Sequence, residues 1–446
     1  MLRVLLGLVL LLASAVAASS QPAGAPVAGP PPPKGELAKA LVDGMLSIDE
    51  AVAVAWESNL SLRRSEEAVQ AAQGRVEQAL SAQWPRLTLD GAYRHIFKLP
   101  AFSIPGGGAI SLGTKTTTSA TATITMAPYT GGKVGAAIRA TRAGLKGARA
   151  DETQQKQEVT FSTRRSYYGV LAAQQASDVA QTALSNAESH LKIARARVDA
   201  EVAAPFDQLL AEVQVARAQE GLIIARHALE LAKASLNFAL GVDLDHQYEL
   251  TTPPRAPKET GSLLGLETQA LAQRPELVSL RAAEDAAGAA IVIAKADQLP
   301  NLIVGGDYQK VFQSSPISTT TPAVFAQLTM TLFDAGQTRG AIVEAQANLD
   351  QARTARQQVE QSVLLEVRQA YLNLQAASQR LETTRKEIES ATEANRIAEV
   401  RYEGGVGTIL ELVDAQLAFT QAQLADTQAS FDYNIAQAQL ELATGR

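Results

Sequence analysis

The stretch "YEGGVGTILELVDAQ", Tyr402–Gln416, interrupts a run of more than a hundred residues whose pattern otherwise reads as helix. Inside a helix, Gly404, Gly405 and Gly407 would each cost about 0.5–1 kcal/mol relative to alanine. A tip between two antiparallel helices accounts for them better. Glycine supplies the left-handed conformation that ends one helix, and Thr408 suits the cap of the next. A related stretch, "VDAEVAAPFDQLLAE" (Val198–Glu212), occupies the equivalent place in the first half of the chain.

That equivalence extends along the sequence. An offset of 204 residues sets Gly132 on Gly336 and Gly241 on Gly445 without a gap. Within this register Arg164 meets Arg368, Tyr167 meets Tyr371, Arg197 meets Arg401 and Leu236 meets Leu440. Upstream the offset becomes 215, where Pro85 meets Pro300, so the first half carries a loop longer by 11 residues. The expected organisation is two structural repeats, 46–245 and 264–446, joined by a linker at 246–263.

Each repeat opens with a helical stretch that ends before Pro85 or Pro300, because the residue preceding proline avoids the helical region. The hydrophobic period then falls to two. In "TATITM", Thr121, Thr123 and Thr125 alternate with Ala122, Ile124 and Met126. In "AVFAQLTMTLF", Val324, Ala326, Leu328, Met330 and Leu332 alternate with Phe325, Gln327, Thr329 and Thr331. With "RLTLDGAYRH" and "NLIVGGDYQ" as partners, these predict β-hairpins at about 87–126 and 302–333. Strands of roughly 9–11 residues cross a bilayer at a tilt. Four strands cannot close a barrel, and an open edge in lipid costs several kcal/mol per unsatisfied group. Membrane-spanning strands would therefore need sister chains: three copies give twelve, and two give eight, with an interior filled by side chains. Two soluble hairpins packed on the helices are the competing reading.

Long helices follow the hairpins, at about 133–201 and 337–403, with return helices at about 206–240 and 408–444. At 1.5 Å per residue the outgoing helices reach about 100 Å. Val359, Val363, Val367, Ala370 and Leu374 recur at threes and fours among alanine and glutamine, a coiled-coil pattern. At 46% hydrophobic but only 5% aromatic, the composition suits close helix packing rather than a thick core. A soluble coiled-coil rod shares this pattern but leaves the alternating strands unexplained.

The N-terminus "MLRVLLGLVLLLASAVAASS" reads as a signal peptide, 1–19, with Arg3, a short apolar run and small residues for cleavage. Its apolar run falls short of the ~20 residues of a membrane anchor. A Pro-rich tether follows over 20–45. With no cysteine, disulfides, thiolate metal sites and lipid attachment behind the leader are not expected. The net charge of −6 and the lack of a clustered basic run argue against nucleic acid. His95, His190, His227 and His246 are scattered, suit surface positions and suggest no metal site, and no phosphate loop or nucleophile–base pair appears. Neither a cofactor nor catalysis is expected.

Beyond the glycine tip, Glu411 and Asp414 are three apart and share a helix face; Asp207 lies early in the equivalent helix. Acidic residues in a first turn are often plain dipole partners. Around a shared axis, however, the same face would ring a pore with carboxylates and favour cations.

The plan resembles the TolC-type outer membrane efflux proteins over essentially the whole mature chain. The pieces that carry the resemblance are "RPEL" (Arg274–Leu277), "LFDAGQTRG" (Leu332–Gly340) and "RYEGGVGTILELVDAQ" (Arg401–Gln416). The resemblance implies a mainly α fold with a small β part, assembled as a homotrimer. Twelve strands would form a β-barrel in outer membrane lipid, and the helices a periplasmic α-barrel docking on an adaptor protein and an inner membrane pump. It also implies that Glu411 and Asp414 constrict the periplasmic entrance, while Tyr402 and Asp207 join a hydrogen-bond network holding it shut. The family's arginine in that network falls on Gly407 here, and the outer aspartate is Glu411. A periplasmic adaptor is the rival reading, weakened by the doubled hairpin.

Overall fold

The computed structural model describes residues 44–99, 101–103, 106, 109–111, 114–251, 261–313 and 319–446. The expected leader, nearly all of the tether and the middle of the 246–263 linker lie outside the described residues.

The described chain opens with β1 (Met45–Leu46), α1 (Ile48–Ser58) and α2 (Leu60–Ser81). Next come β2 (Arg86–His95), the short pair β3 (Ala101–Ser103) and β4 (Ala109–Ser111), and β5 (Thr116–Thr130). Helix α3 (Lys133–Asp199) leads out and α4 (Pro205–Leu240) returns, followed by β6 (Glu249–Leu250). The order then resumes with α5 (Leu263–Gln273), α6 (Pro275–Ala296), β7 (Asn301–Gln313) and β8 (Thr319–Thr329). Helix α7 (Gln337–Glu403) and its return α8 (Ile409–Ala443) complete a mainly helical chain.

Each leading helical stretch, expected to be continuous, is broken once. Asn59 adopts an extended conformation (φ −69°, ψ 122°), and its side chain accepts from Ser61 N and Leu62 N, so a fresh helix starts there. Arg274 is extended likewise (φ −61°, ψ 122°) because Pro275 follows. These breaks receive the ends of the return helices. Gly241 (φ +76°) lies so close that a Cβ would sit 2.5 Å from the Ser58 carbonyl oxygen. Asn59 Nδ2 also donates to the Ala239 carbonyl at 2.9 Å. Gly445 (φ +81°) seats against Gln273 and Arg274 in the same manner. The Arg274 side chain, only 8% exposed, pairs with Glu276 at 3.1 Å and with Glu366 of α7. "RPEL" is thus a structural device: its proline makes the break and its arginine ties the break to the long helix.

Between the helices the core is thin and distributed. Tyr167 is fully buried and its hydroxyl donates to the Leu46 carbonyl at 2.9 Å, anchoring the β1–β6 parallel pair over α3. A second cluster lines α7 and α8 with Val363, Val367, Leu374, Leu381 and Tyr433. In lateral order the long helices run α4, α3, α8, α7, with α2 and α6 against α3 nearer the strands.

The sheet has the order β2-β5-β7-β8 and is antiparallel throughout. Its register segregates side chains by chemistry. Leu87 pairs with Ile124, Ile124 with Gly306, and Gly306 with Val324, which places Leu87, Leu89, Tyr93, Ile124, Tyr308 and Val324 on one apolar face. The other face carries Thr88, Asp90, Arg94, Thr121, Thr123, Asp307 and Gln309. Helices cover neither face, and among the described residues the outer edges of β2 and β8 pair with nothing. Leu87, Leu89, Tyr93, Val324 and Leu328 accordingly stand 68–79% exposed. A hairpin packed on its own helices is excluded by this arrangement.

The second hairpin stops short of the expected 333, since β8 ends at Thr329. The residues beyond it lead into a cap: the Asp334 carboxylate accepts from Gly336 N at 3.0 Å, Thr338 N at 2.9 Å and Thr338 Oγ1 at 2.5 Å. That cap starts α7 and gives "LFDAGQTRG" its local meaning.

Gly241→Ala is expected to destabilise the fold by more than 1 kcal/mol, from both the left-handed backbone and the overlap with Ser58. Gly445→Ala, whose nearest contact would be 3.1 Å, should cost less; thermal midpoints of the two variants compared with the parent check the ranking.

Candidate pore constriction at the helix tips

The α7–α8 connection is a tight helical stop. Val406 N and Gly405 N donate to the carbonyls of Arg401 and Tyr402, both at 3.0 Å, the paired bonds of a Schellman end. Of the three tip glycines only Gly405 uses the left-handed region (φ +74°). Gly407 is required for space: a Cβ there would lie 3.0 Å from Arg401 Cβ and 3.1 Å from Tyr402 N. Thr408 then caps α8, its hydroxyl accepting from Glu411 N at 3.2 Å. At the α3–α4 tip the left-handed position falls on Glu201 (φ +58°), 204 residues before Gly405, at a cost of about 1–2 kcal/mol for a side chain bearing Cβ.

The two tips are packed together. Ala194 of α3, Ala211 of α4, Tyr402 of α7, and Ile409 and Leu412 of α8 form one buried cluster. Across it, Arg197 reaches from the end of α3 to the end of α7. Its Nη2 donates to the Tyr402 carbonyl at 2.5 Å and the Glu403 carbonyl at 3.1 Å. The guanidinium also lies 4.4 Å from the centroid of the Tyr402 ring. One cation thereby satisfies terminal carbonyls, complements the negative end of α7 and stacks on an aromatic face.

Among the residues singled out from sequence, Tyr402 is 2% exposed, and among the described residues its hydroxyl has no hydrogen-bond partner. Burial pushes its phenol above the ordinary value; the Arg197 cation opposes this, and the nearby Asp207 charge adds to it. Asp207 is thus near Tyr402 without being bonded to it, and the bond joining the tips comes from Arg197. Sequence reasoning noted Arg197 only as the counterpart of Arg401. Its position one turn before the tip was the available signal.

Glu411 and Asp414 are both exposed, on the side of α8 away from buried Ile409 and Leu412. Glu411 lies 3.6 Å from Arg401. Of the four histidines, His95 and His227 are exposed, whereas His190 and His246 are half-buried, contrary to the surface expectation. Burial lowers the His190 imidazole below its usual range, with Glu399 and Glu403 of α7 opposing that effect.

Paired 67-residue helices, a free-standing two-faced sheet and packed acidic tips define a class: a long-hairpin protein built to lie partly in a membrane. The model of the family described as "Outer membrane efflux protein" matches residues 52–242 and 266–446, and the chain belongs to that family. It is a TolC-type outer membrane factor, placed in the outer membrane with an extension into the periplasm. The pyoverdine export outer membrane protein OpmQ of Pseudomonas putida is 25% identical over 305 residues, which are 67% of this chain and 63% of that protein. The chain therefore spans less than two thirds of that relative. The outer membrane efflux protein BepC of Brucella suis is 23% identical over 92% of this chain and 88% of its own length. In structure, the CmeC outer membrane channel of Campylobacter jejuni superposes with a TM-score of 0.79 at 16% identity, covering 89% of this chain and 85% of that one.

Arg197→Gln is expected to loosen the joined tips by about 1–2 kcal/mol, seen as faster hydrogen exchange at Val400–Leu412. Glu201→Gly should instead raise the thermal midpoint by relieving the left-handed side chain, a gain of about 1 kcal/mol.

Proposed function

We propose that the chain is the outer membrane duct of a tripartite efflux or type I secretion system: a passive homotrimer, with each chain built as two repeats. Three sheets join edge to edge into a twelve-stranded barrel, and the helices form a tunnel that an adaptor and an inner membrane pump engage at the tips. The observation that carries this reading is the two-faced sheet, apolar on one side and open at both edges. In lipid such an edge must find another strand, and a sister copy offers β2 for β8.

Two further features support it. Trp84, Tyr129 and Phe333 stand 58%, 49% and 87% exposed at the junctions between strands and helices, where aromatic belts lie at a membrane interface. The lateral edges of the helical layer also carry unpartnered apolar stripes. Helix α4 exposes Ile224, Leu231 and Phe238 at seven-residue steps, and α7 exposes Leu365 and Leu372 likewise. Phe238 borders the same groove as Ser162, while Leu365 is the counterpart of Phe161 in the 204-residue register, so the stripes stand at one height. Seven-residue spacing at matching heights suits packing of α4 against α7 of the next copy.

In this reading Glu411 and Asp414 of three copies ring the periplasmic entrance, and partner engagement opens it by parting the joined tips. Energy comes from the pump.

Purified outer membranes should yield heat-modifiable trimers that conduct in planar bilayers; recovery solely as a soluble monomer would overturn the reading. Glu411→Ala combined with Asp414→Ala should weaken block by multivalent cations several-fold. Unchanged block would remove these carboxylates from the entrance.

A further inference from the structure

Over its first five turns α3 bears Lys133, Arg139, Arg142, Lys146 and Arg149, and no carboxylate before Asp151. Lys133 pairs with Asp297 at 2.8 Å. The other four are exposed, and among the described residues none makes an ion pair or side-chain hydrogen bond. Steps of three, four and three residues place them on a single face, a ladder about 15 Å long. These four lie beyond the first turn, where the helix dipole no longer acts, so it accounts for none of them. Nor does the repeated plan require them. Their counterparts at an offset of 204 are Val343, Gln346, Asp350 and Arg353.

Beside the ladder runs a groove of about 380 Å³, where Arg142, Lys146 and Arg149 face Gln273, Pro275 and Val278. Its far wall offers an amide and apolar surface, with no acid to neutralise the cations. No large apolar side chain is exposed anywhere along α3, so the surface lacks the aromatic or aliphatic anchors of a protein–protein interface.

We propose that this face binds the carboxylate-bearing peptide–glycan polymer of the cell wall. The inference rests on the sheet lying in the outer membrane, as proposed above. Arg142 and Arg149 then lie about 14 and 24 Å along the helix from its start at the sheet. A headgroup layer is about 5–8 Å deep, so lipid phosphates meet at most the top of the ladder. A linear periplasmic polyanion meets all of it. Such binding is dominated by charge and falls with salt.

The test uses the detergent-solubilised full-length protein and purified cell-wall sacculi. Cosedimentation is expected, reduced at least tenfold by Arg142→Glu/Lys146→Glu/Arg149→Glu, by raised salt and by amidation of the sacculus carboxylates. The milder triple glutamine variant should give an intermediate loss, and its retained oligomeric state and conductance separate lost binding from lost folding. Equal cosedimentation of parent and variants overturns the proposal. So does binding lost to anionic phospholipid vesicles alone, or an altered anion-to-cation permeability with sacculus binding unchanged, which would put the ladder in the pore. Failure of the duct reading would show separately, as absence of conductance in the parent protein.

Discussion

A backbone that enters lipid must complete its hydrogen bonds within protein, and this chain supplies four strands that cannot do so alone. Strands β5 and β7 are paired on both sides, whereas among the described residues β2 and β8 each leave a row of donors and acceptors open. In water such edges invite uncontrolled pairing; in lipid each unmatched group costs several kcal/mol. The register sharpens the demand by gathering leucine, isoleucine and tyrosine on one face and threonine, aspartate and arginine on the other. A flat sheet satisfies neither face. In the proposed trimer, three of them curled around a polar interior would satisfy both.

The helical part solves a different problem, which is length without thickness. Alanine, glycine and valine at buried positions let α3 pack closely between α4 and α8, and α7 against α8. Larger side chains gather mainly in three clusters: one around Tyr167, Tyr168 and Phe431, one with Val363 to Leu381 and Tyr433 between α7 and α8, and one around Tyr402 at the tips. The cross-tip contact is unusual in resting on main-chain acceptors. Because Arg197 bonds to carbonyl oxygens, substitution of the Tyr402 side chain would remove the stacking contact and the packing of the tip cluster but leave both acceptors of the Arg197 hydrogen bonds in place.

Much of this was legible in sequence. Period-two threonine runs marked the strands, the 204-residue register aligned the elements, and clustered glycine marked the tip. What escaped depended on tertiary partners. The break at Asn59 carries no proline and becomes a helix cap where Gly241 packs against it. The β1–β6 pair is too short to have a period, and the end of β8 at Thr329 is set by the Asp334 cap rather than by alternation, which continues to Phe333. At the tips, a family pattern pointed to Tyr402 and Asp207; within the one chain the observed bond runs from Arg197 of the other hairpin to the Tyr402 carbonyl. Spacing alone could not reveal which side chain crosses between hairpins.

Helices α3 and α7 each contain 67 residues, although the loops that precede them differ in length. Equal length brings both tips to one level, where they share a buried cluster; in the proposed trimer a ring of alternating tips would meet a flat partner without a step. It also turns residue count into a yardstick. A seven-residue deletion in one hairpin alone would withdraw that tip by about 10 Å, while matched deletions in both would shorten the whole tube and keep its rim level.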